Sequence, residues 1–311
     1  MSDQTRKPAD RLDSSEGLYF TRQLEFIKAR SYDEILADLK YAQLLPISAE
    51  APSGSTEITW RQFKQYGFAK IMADYAEDFP RVDLGGIETT VKIRDLGVAY
   101  GYTIKDIRRA ALANVDLPSR KAVAARRAIE EKLNTIAWTG DATYGIQGFI
   151  KYPGTTQYTV PATGTGATTT WSTKTPDQIL TDLNGIVSAV ESPTFGKEMV
   201  DTIILPMAQY LLIRNTPRNT YSDTTIFGFF KQNNPGVNIV PVRELYQAGT
   251  SSKDMFIAYN KSPDKLTFEV PVAFEQFDAQ LEGMEWQIPC HAETAGVIVY
   301  YPMSIAWGEG I

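Results

Sequence analysis

The chain has 311 residues, of which 43% are hydrophobic and 22% are charged, and these ordinary globular proportions exclude a disordered or fibrous protein. The formal net charge of -6 argues against a protein dedicated to gripping nucleic acid, because such proteins are usually basic or carry a clear basic patch. A single cysteine excludes a disulfide framework, and no run of about 20 apolar residues could span a bilayer. The start of the chain lacks the apolar core of a secretory signal, so we expect a soluble protein of one or two domains, made in the cytoplasm.

The N-terminal part of the chain is polar before any periodic pattern begins. Residues 1–17 are charged and aperiodic, which is typical of a flexible arm. Ser31 and Glu34 can form a capping box, so a short amphipathic helix is predicted over 31–40. The segment Ala49–Gly54 then breaks the pattern.

Residues 57–103 indicate a long two-stranded arm. Its return leg, Glu88–Thr103, alternates apolar and polar residues, and period two is the signature of a strand. Turn-forming residues lie between the two legs, namely Pro80, Gly85 and Gly86. Because two strands alone cannot bury their own faces, we expect this arm to pack on a neighbouring molecule.

The strongest helical pattern in the chain covers residues 118–138. Pro118 suits the first turn of a helix, and Gly140 is expected to end it. A narrow and mostly apolar stripe runs along one side at steps of three and four residues: Ala122, Arg126, Ile129, Leu133 and Ile136. About 21 residues at a rise of about 1.5 Å give a rod of about 30 Å.

The second half of the chain mixes helices and strands in an α+β order. The Thr- and Gly-rich residues 154–175 indicate a loop or a loose hairpin, and Thr175 and Gln178 then form a predicted capping box. The apolar face of the helix that follows comprises Ile179, Leu180, Leu183, Ile186, Val187 and Val190. Further helices are predicted over 206–213 and 225–231, and strands over 202–205, 237–242, 255–259, 266–270 and 296–307.

Charge is distributed unevenly along the chain. Residues 104–132 contain eight Lys or Arg and four Asp or Glu, whereas residues 264–311 contain eight acidic residues and one lysine. Two solvated faces would explain this asymmetry. This is the simpler explanation, and the alternative is complementary surfaces on neighbouring copies or a basic face toward DNA.

The sequence predicts no catalytic, cofactor-binding or metal site. Cys290 and His291 are adjacent, and adjacent strand residues point to opposite faces, so they cannot converge as a nucleophilic pair. One His and one Cys cannot form a zinc site of the Cys/His type. The Gly-rich segments 140–148 and 164–169 lack a Walker lysine and the GxGxxG spacing, respectively.

The order of these elements resembles that of the Hong Kong 97-type major capsid proteins of tailed phages. The residues that carry the resemblance are Ile104–Ile150, where the long helix is followed by Gly140-Asp141 and by Gly145-Ile146-Gln147-Gly148. A polar arm and a long extended loop precede them, and an α+β domain follows. The resemblance extends from about Arg30 to the C-terminus.

This resemblance implies an α+β fold of the Hong Kong 97-like kind. It divides the chain into an N-terminal arm (1–56), an E-loop (57–103), a P-domain (104–174) with a spine helix (118–138), an A-domain (approximately 175–290) and a return to the P-domain (291–311). Charged residues of the E-loop are then expected to contact a neighbouring subunit, namely Asp78, Arg81, Asp83, Lys92 and Arg94. No E-loop lysine can be matched to a covalent crosslink.

The resemblance also implies a function. Such proteins assemble through hexamers and pentamers into an icosahedral shell around double-stranded DNA, so we expect a virion protein without enzymatic activity, assembled in the host cytoplasm. Its expected partners are copies of itself and the packaged DNA, which it would contact weakly and without sequence specificity. Portal, scaffold or decoration proteins are further candidate partners, and no membrane partner is expected.

Three alternatives compete with the phage shell. An encapsulin-type nanocompartment shell shares the fold, but such shells usually begin with a helix rather than a long arm. An enzyme of another α+β class lacks a catalytic cluster in this sequence. A tail or adhesin protein is suggested only by the Thr- and Gly-rich stretch, and the long helix counts against it.

Overall fold

The structure is a computed structural model that describes residues 38–71, 79–113, 117–219, 221 and 224–311. The chain divides into two units, Met1–Asp38 and Leu39–Ile311, and all helices and strands given below lie in the second unit. Most of the helix predicted over 31–40 lies outside the described residues. The described α-helices are α1 (Tyr41–Leu44), α2 (Ile104–Ala113), α3 (Leu117–Thr139), α4 (Pro176–Glu191), α5 (Met207–Asn215) and α6 (Ile226–Asn233). None of the helices in the described ranges is long and apolar enough to cross a membrane.

The strands form three larger sheets and two short ladders. A mixed five-stranded sheet has the order β7-β16-β10-β8-β9, a second sheet has β14 between β4 on one side and β12 and β13 on the other, and a third has the order β1-β11-β15. Two two-stranded ladders, β2-β3 and β5-β6, complete the fold. The described strands are β1 (Ile47–Ser48), β2 (Glu57–Tyr66), β3 (Asp83–Lys92), β4 (Arg94–Thr103), β5 (Gly140–Asp141), β6 (Ile146–Gln147), β7 (Thr156–Tyr158), β8 (Thr202–Leu205), β9 (Asn238–Pro241), β10 (Met255–Tyr259), β11 (Leu266–Glu269), β12 (Val272–Gln276), β13 (Gln280–Glu282), β14 (Glu285–Thr294), β15 (Gly296–Val299) and β16 (Ile305–Glu309).

The return leg of the predicted arm is divided between two sheets. Strands β2 and β3 pair in an antiparallel register that runs from Glu57–Lys92 to Tyr66–Asp83. After Ile93 the chain enters β4, which pairs with β14 along its whole length. The expectation that residues 94–103 belong to the two-stranded arm is therefore wrong: the apolar positions of β4 face the long helix α3 instead, and the alternation that predicted a strand reflects that burial.

Helix α3 confirms the prediction of a long helix over 118–138. Ile129, Leu133 and Ile136 of the predicted stripe are buried, together with Ala125. Ala122 is only half-buried, and Arg126 is exposed and pairs with Glu130 at 3.0 Å. A buried polar residue also lies in this helix. The Asn134 amide donates to Glu244 at 2.8 Å and its carbonyl accepts from the Trp138 indole at 3.1 Å, which satisfies the buried polar atoms.

Two glycines explain how the chain leaves α3. Gly140 has a φ of 71°, a left-handed conformation that costs other residues energy, and it ends the helix as predicted. Gly148 lies against the end of the helix, where an added Cβ would come within 2.6 Å of the Trp138 carbonyl oxygen. Gly140 also pairs with Gln147 in the short ladder β5-β6, where an added Cβ would come within 2.4 Å of the Ile146 carbonyl oxygen.

Helix α4 begins as its sequence predicts. The Thr175 hydroxyl accepts from the Gln178 N–H, and the Gln178 side chain accepts from the Thr175 N–H, which is a complete capping box. All six residues of its predicted apolar face are buried. Just before the helix, the ammonium of Lys174 lies 2.6 Å from the carboxylate of Asp182, and both side chains are almost completely buried.

The five-stranded sheet separates two hydrophobic cores. In β10, Met255, Ile257 and Tyr259 face the core that contains α3, whereas Phe256 and Ala258 face the core that contains α4 and α6. This double burial explains why the strand has a continuous apolar sequence rather than an alternating one.

The last predicted strand, 296–307, is wrong as a single element. The structure forms β15, then a short 3-10 helix over Pro302–Ser304, and then β16, which joins a different sheet from β15. Pro302 has no backbone N–H to donate and a fixed φ, so it favours this interruption. The strands on either side of Pro302 are both apolar and largely buried, so the sequence pattern did not show the break.

Candidate assembly surface

The hairpin of β2 and β3, which we call the arm, extends from the sheets as a ladder of ten residues per strand. At about 3.3 Å per residue, its length is about 30 Å. Cross-strand side-chain pairs stiffen it along one face: the hydroxyls of Thr59 and Thr90 lie 2.8 Å apart, and Arg61 pairs with Glu88 at 2.5 Å.

The base of the arm is fixed to the rest of the unit. The rings of Trp60 and Tyr300 meet edge to face with centroids 5.9 Å apart, and the Gln62 amide donates to the Tyr300 carbonyl. An open groove of about 740 Å³ lies beside this contact, between the arm and the segments 193–198 and 300–303. The arm therefore starts from a defined position.

The outer half of the arm carries an unusual amount of exposed apolar surface. Phe63 is 70% exposed and Phe68 is 72% exposed, although aromatic side chains of this size are normally buried. Neighbouring positions share this property, and together the exposed apolar residues of the arm are Phe63, Tyr66, Phe68, Ile71, Phe79, Val82, Leu84 and Ile87. The strand register places Phe63 and Leu84 on one face of the hairpin and Tyr66 and Ile87 on the other. Exposed apolar surface of this extent is typical of a surface that contacts another molecule.

The structure divides the five charged residues predicted to contact a neighbour. Asp78 lies outside the described residues. Arg81 and Asp83 are exposed in the outer half of the arm, beside the apolar patch, and the Asp83 carboxylate accepts from the Leu84 N–H at 2.8 Å. Lys92 is exposed at the base, where it ends β3.

Arg94 does not lie in the arm. It begins β4, is half-buried, and places a guanidinium nitrogen 3.4 Å from the Tyr144 carbonyl. Its position in the sheet makes it a residue of the junction between the arm and the sheet. Its predicted contact with a neighbouring subunit stays a prediction, as do those of the other four residues.

The charges of the arm were predicted to contact a neighbour, but its apolar side chains were not. The signal was present, because residues 63–71 place two phenylalanines, a tyrosine and an isoleucine in a segment without helical or strict strand periodicity. Aromatic residues at aperiodic positions cannot all enter one core. The pattern therefore indicated an exposed surface that contacts another molecule.

The structure keeps Cys290 and His291 apart, in agreement with their adjacency on a strand. Cys290 faces the core around α3, where burial raises the pKa of its thiol, and a thiol in such surroundings is a poor nucleophile. His291 lies on the opposite face of β14. The two side chains cannot act on one substrate.

The uneven charge of the sequence is visible at the surface. The basic side chains of α2 are exposed at Lys105, Arg108 and Arg109. The acidic residues near the C-terminal end of the sequence lie around the sheet of β12, β13 and β14, and the exposed ones there are Glu275, Asp278, Glu282 and Glu285.

Comparison with known proteins places this fold among capsid subunits. The capsid of the Myoviridae phage XM1 matches with a TM-score of 0.81 and 17% identity, covering 95% of this chain and 100% of that chain. The capsid of an empty GTA particle matches with a TM-score of 0.67 and 9% identity, covering 96% and 99%. A virus-like particle from Pyrococcus furiosus matches with a TM-score of 0.53 and 12% identity, covering 86% and 91%. No curated protein sequence matches the chain.

The capsid likeness confirms the predicted α+β capsid fold, although identities this low establish the fold alone. A family assignment comes from the sequence model of the major capsid proteins, which matches residues 67–311 and so includes most of the arm, α3 and both cores. This chain belongs to the major capsid protein family.

Proposed function

We propose that the chain is the subunit of an icosahedral phage shell, in which copies assemble through hexamers and pentamers around double-stranded DNA. The observation that carries the proposal is the arm, which is fixed at its base and bears a patch of exposed apolar side chains at its outer half. In an isolated subunit this surface would favour uncontrolled aggregation. A neighbouring copy that covers this surface removes it from water and forms a contact between subunits.

The free energy gained by burying the apolar side chains of the arm is of the size expected for one contact of a shell. Complete burial of a large apolar side chain contributes about 1.5–3 kcal/mol, and Phe63 and Phe68 still have most of their surface to bury. Only part of this gain appears as affinity, because association also costs translational and side-chain freedom. Each contact is therefore modest, and a closed shell gains its stability from many copies of it.

The strand pairing supports a proposed division of the chain into domains. We assign residues 1–56 to the N-terminal arm, 57–92 to the E-loop, and α3 to the spine helix of the P-domain. Strand β4 moves from the E-loop to the P-domain, because it pairs with β14. We assign α4, α5 and α6 with the five-stranded sheet to the A-domain. Because β16 joins that sheet, the return to the P-domain expected over 291–311 would not include β16.

The shell would be a structural component of the virion, assembled in the host cytoplasm and without catalytic activity. The exposed basic side chains of α2 support a face that contacts packaged DNA weakly through its phosphates. The exposed acidic side chains around β13 support a face turned away from DNA. Portal, scaffold and decoration proteins would join the subunit in the complete particle.

The encapsulin-type shell remains the alternative function. The likeness to the virus-like particle from Pyrococcus furiosus supports the shared fold, but it is weaker than the likeness to the phage capsid. Particles that contain host-expressed enzymes rather than nucleic acid would favour the alternative.

The decisive experiment changes the arm and leaves the cores intact. Phe63→Asp and Leu84→Asp each place a charge in the apolar patch, whereas Phe63→Leu is the matched control that keeps the side chain apolar. We expect the two aspartate variants to remain folded by circular dichroism but to yield few or no shells by negative-stain electron microscopy and sedimentation. The control should assemble normally.

Charge reversal tests the neighbouring polar contacts separately. Arg81→Glu and Asp83→Lys should also hinder assembly more than folding. If Phe63→Asp and Leu84→Asp both form normal shells, the arm is not the assembly surface and the proposal is wrong.

A further inference from the structure

Three side chains converge on the face of β14 that is turned away from α3. Asp95 on β4 lies directly opposite Glu293 on β14, and His291 is two residues from Glu293 on the same strand. Side chains two residues apart share a face, and directly paired residues share it too. The strand alternation fixes which face this is, because the intervening residues Cys290 and Ala292 point into the core.

The atoms are close enough to share one ion. One ligand atom from each of Asp95, His291 and Glu293 lies within 4.8 Å of the others. The Nε2 atom of His291 lies 3.4 Å from a carboxylate oxygen of Asp95. Zn²⁺ binds nitrogen and oxygen ligands at about 2.0–2.2 Å, so two ligands of a tetrahedral ion lie about 3.4 Å apart.

An unsatisfied buried carboxyl is the second and independent observation. Glu293 is only 8% exposed, and its Oε2 atom has no hydrogen-bond partner among the described residues. The Nδ1 atom of His291 is also buried without a partner. A buried polar atom without a partner costs about 1–3 kcal/mol, and more when the group is charged, so such atoms call for an explanation.

No basic side chain supplies that explanation. Among the residues that the structure describes, no Lys or Arg nitrogen lies within 4.0 Å of Glu293, and the nearby Lys92 has no ion pair with it. In the part of the chain that the structure describes, the ion pair of Asp95 is with His291. A groove of about 500 Å³ reaches Glu293 and Asp95 from solvent, and the Asp95 side chain is 78% exposed, so water can complete a coordination shell.

We propose that Asp95, His291 and Glu293 form a binding site for a divalent transition-metal ion, for which Zn²⁺ is the best fit. One imidazole and two carboxylates are a mixed nitrogen and oxygen set, which suits Zn²⁺ or Mn²⁺ better than the all-oxygen shells of Ca²⁺ and Mg²⁺. Three protein ligands leave a fourth position for water. Counting His and Cys in the sequence could not find this site, because the two carboxylates come from strands almost 200 residues apart.

The site lies where the arm joins the sheet. Asp95 is three residues beyond Lys92, the last residue of the arm, and Glu293 anchors the central strand of the sheet. A bound ion would add a link between β4 and β14, just beyond the point where the arm joins the sheet. The metal site itself does not depend on the shell function.

The test measures metal binding directly on the purified full-length chain. Zn²⁺ is titrated calorimetrically, and Co²⁺ is used as a spectroscopic probe whose visible absorption reports the ligand set. We expect about one ion per chain. His291→Asn and Glu293→Gln should each weaken binding by at least about tenfold, since even outer-shell partners of a metal cost about that much.

Glu282→Gln is the matched control, because it makes the same Glu-to-Gln change in the same sheet, at an exposed position outside the cluster. It should bind Zn²⁺ as the unchanged chain does. Absence of stoichiometric binding by the unchanged chain, or equal binding by Glu293→Gln and His291→Asn, would overturn the proposal. Circular dichroism of each variant distinguishes a lost ligand from a lost fold.

Discussion

The buried ion pair of Lys174 and Asp182 allows a quantitative test of what stabilises the core that contains α4 and α6. The ammonium and the carboxylate lie 2.6 Å apart with side-chain exposures of 0% and 1%, and the Trp171 indole donates to the same carboxylate oxygen at 2.9 Å. Burial raises the pKa of Asp182, while Lys174 and Trp171 act in the opposite direction. The pair is thus stable only as a unit.

The perturbation is Lys174→Met, which keeps a similar side-chain length and removes the charge. Asp182 would then have only the Trp171 N–H as a partner inside the core. Removal of one member of a buried ion pair typically costs about 3–5 kcal/mol, because the other charge is left uncompensated. An apolar double replacement, Lys174→Met with Asp182→Leu, should recover most of that loss, since buried pairs contribute little net stability over well-packed apolar residues.

The assay is urea-induced unfolding of the disassembled subunit, followed by fluorescence and circular dichroism, for the two single variants and the double variant. The expected signature is strong non-additivity, with the double variant more stable than Lys174→Met. If Lys174→Met costs less than about 1 kcal/mol, or if the two single effects simply add, the pair is not coupled in the core and the reasoning is refuted.

Three further predictions concern local features. Gly148→Ala should lower stability by at least about 2 kcal/mol, because the new Cβ would lie 2.6 Å from the Trp138 carbonyl oxygen, whereas Gly236→Ala, in open space, should be nearly neutral; thermal unfolding compares them. Thr175→Ala should cost about 1 kcal/mol by removing the cap of α4, and Thr175→Ser should restore it in the same assay. Burial acts to raise the pKa of Glu309, but the Thr250 N–H at 3.0 Å and the Lys151 ammonium at 2.9 Å hold it below its ordinary value. A carboxyl whose pKa is lowered by folding stabilises the protein above its ordinary pKa, and this stabilisation is lost as the pH falls through the pKa of the folded state. Glu309→Gln should therefore be less stable than the unchanged chain by about 1 kcal/mol at pH 7 and equally stable in strong acid. Chemical unfolding at a series of pH values tests this.

Local signals predicted the elements that are determined by neighbours in sequence. The capping box at Thr175, the fully apolar β10 and the helix α3 all depend on residues within a few turns or a few positions of each other. These features were correct in position and nearly correct in length. The glycine at the end of α3 was also predicted, although its φ of 71° required the structure.

Long-range pairing could not be predicted in the same way. Strand β4 follows the arm directly, so its alternation looked like a continuation of β3, but its partner β14 lies almost 200 residues away in sequence. The same distance concealed the cluster of Asp95, His291 and Glu293. The break at Pro302 was missed because both flanking strands are buried, and burial masks a turn in an apolar run.

The five-stranded sheet has a mechanical consequence. Because β10 presents one face to each core, unfolding of either core would remove half of the packing of that strand. The other core would then be destabilised as well. The two halves of the unit should therefore yield to load as a single rigid block. Deformation under load would then concentrate outside the two cores, in the part of the arm beyond its contacts with Tyr300.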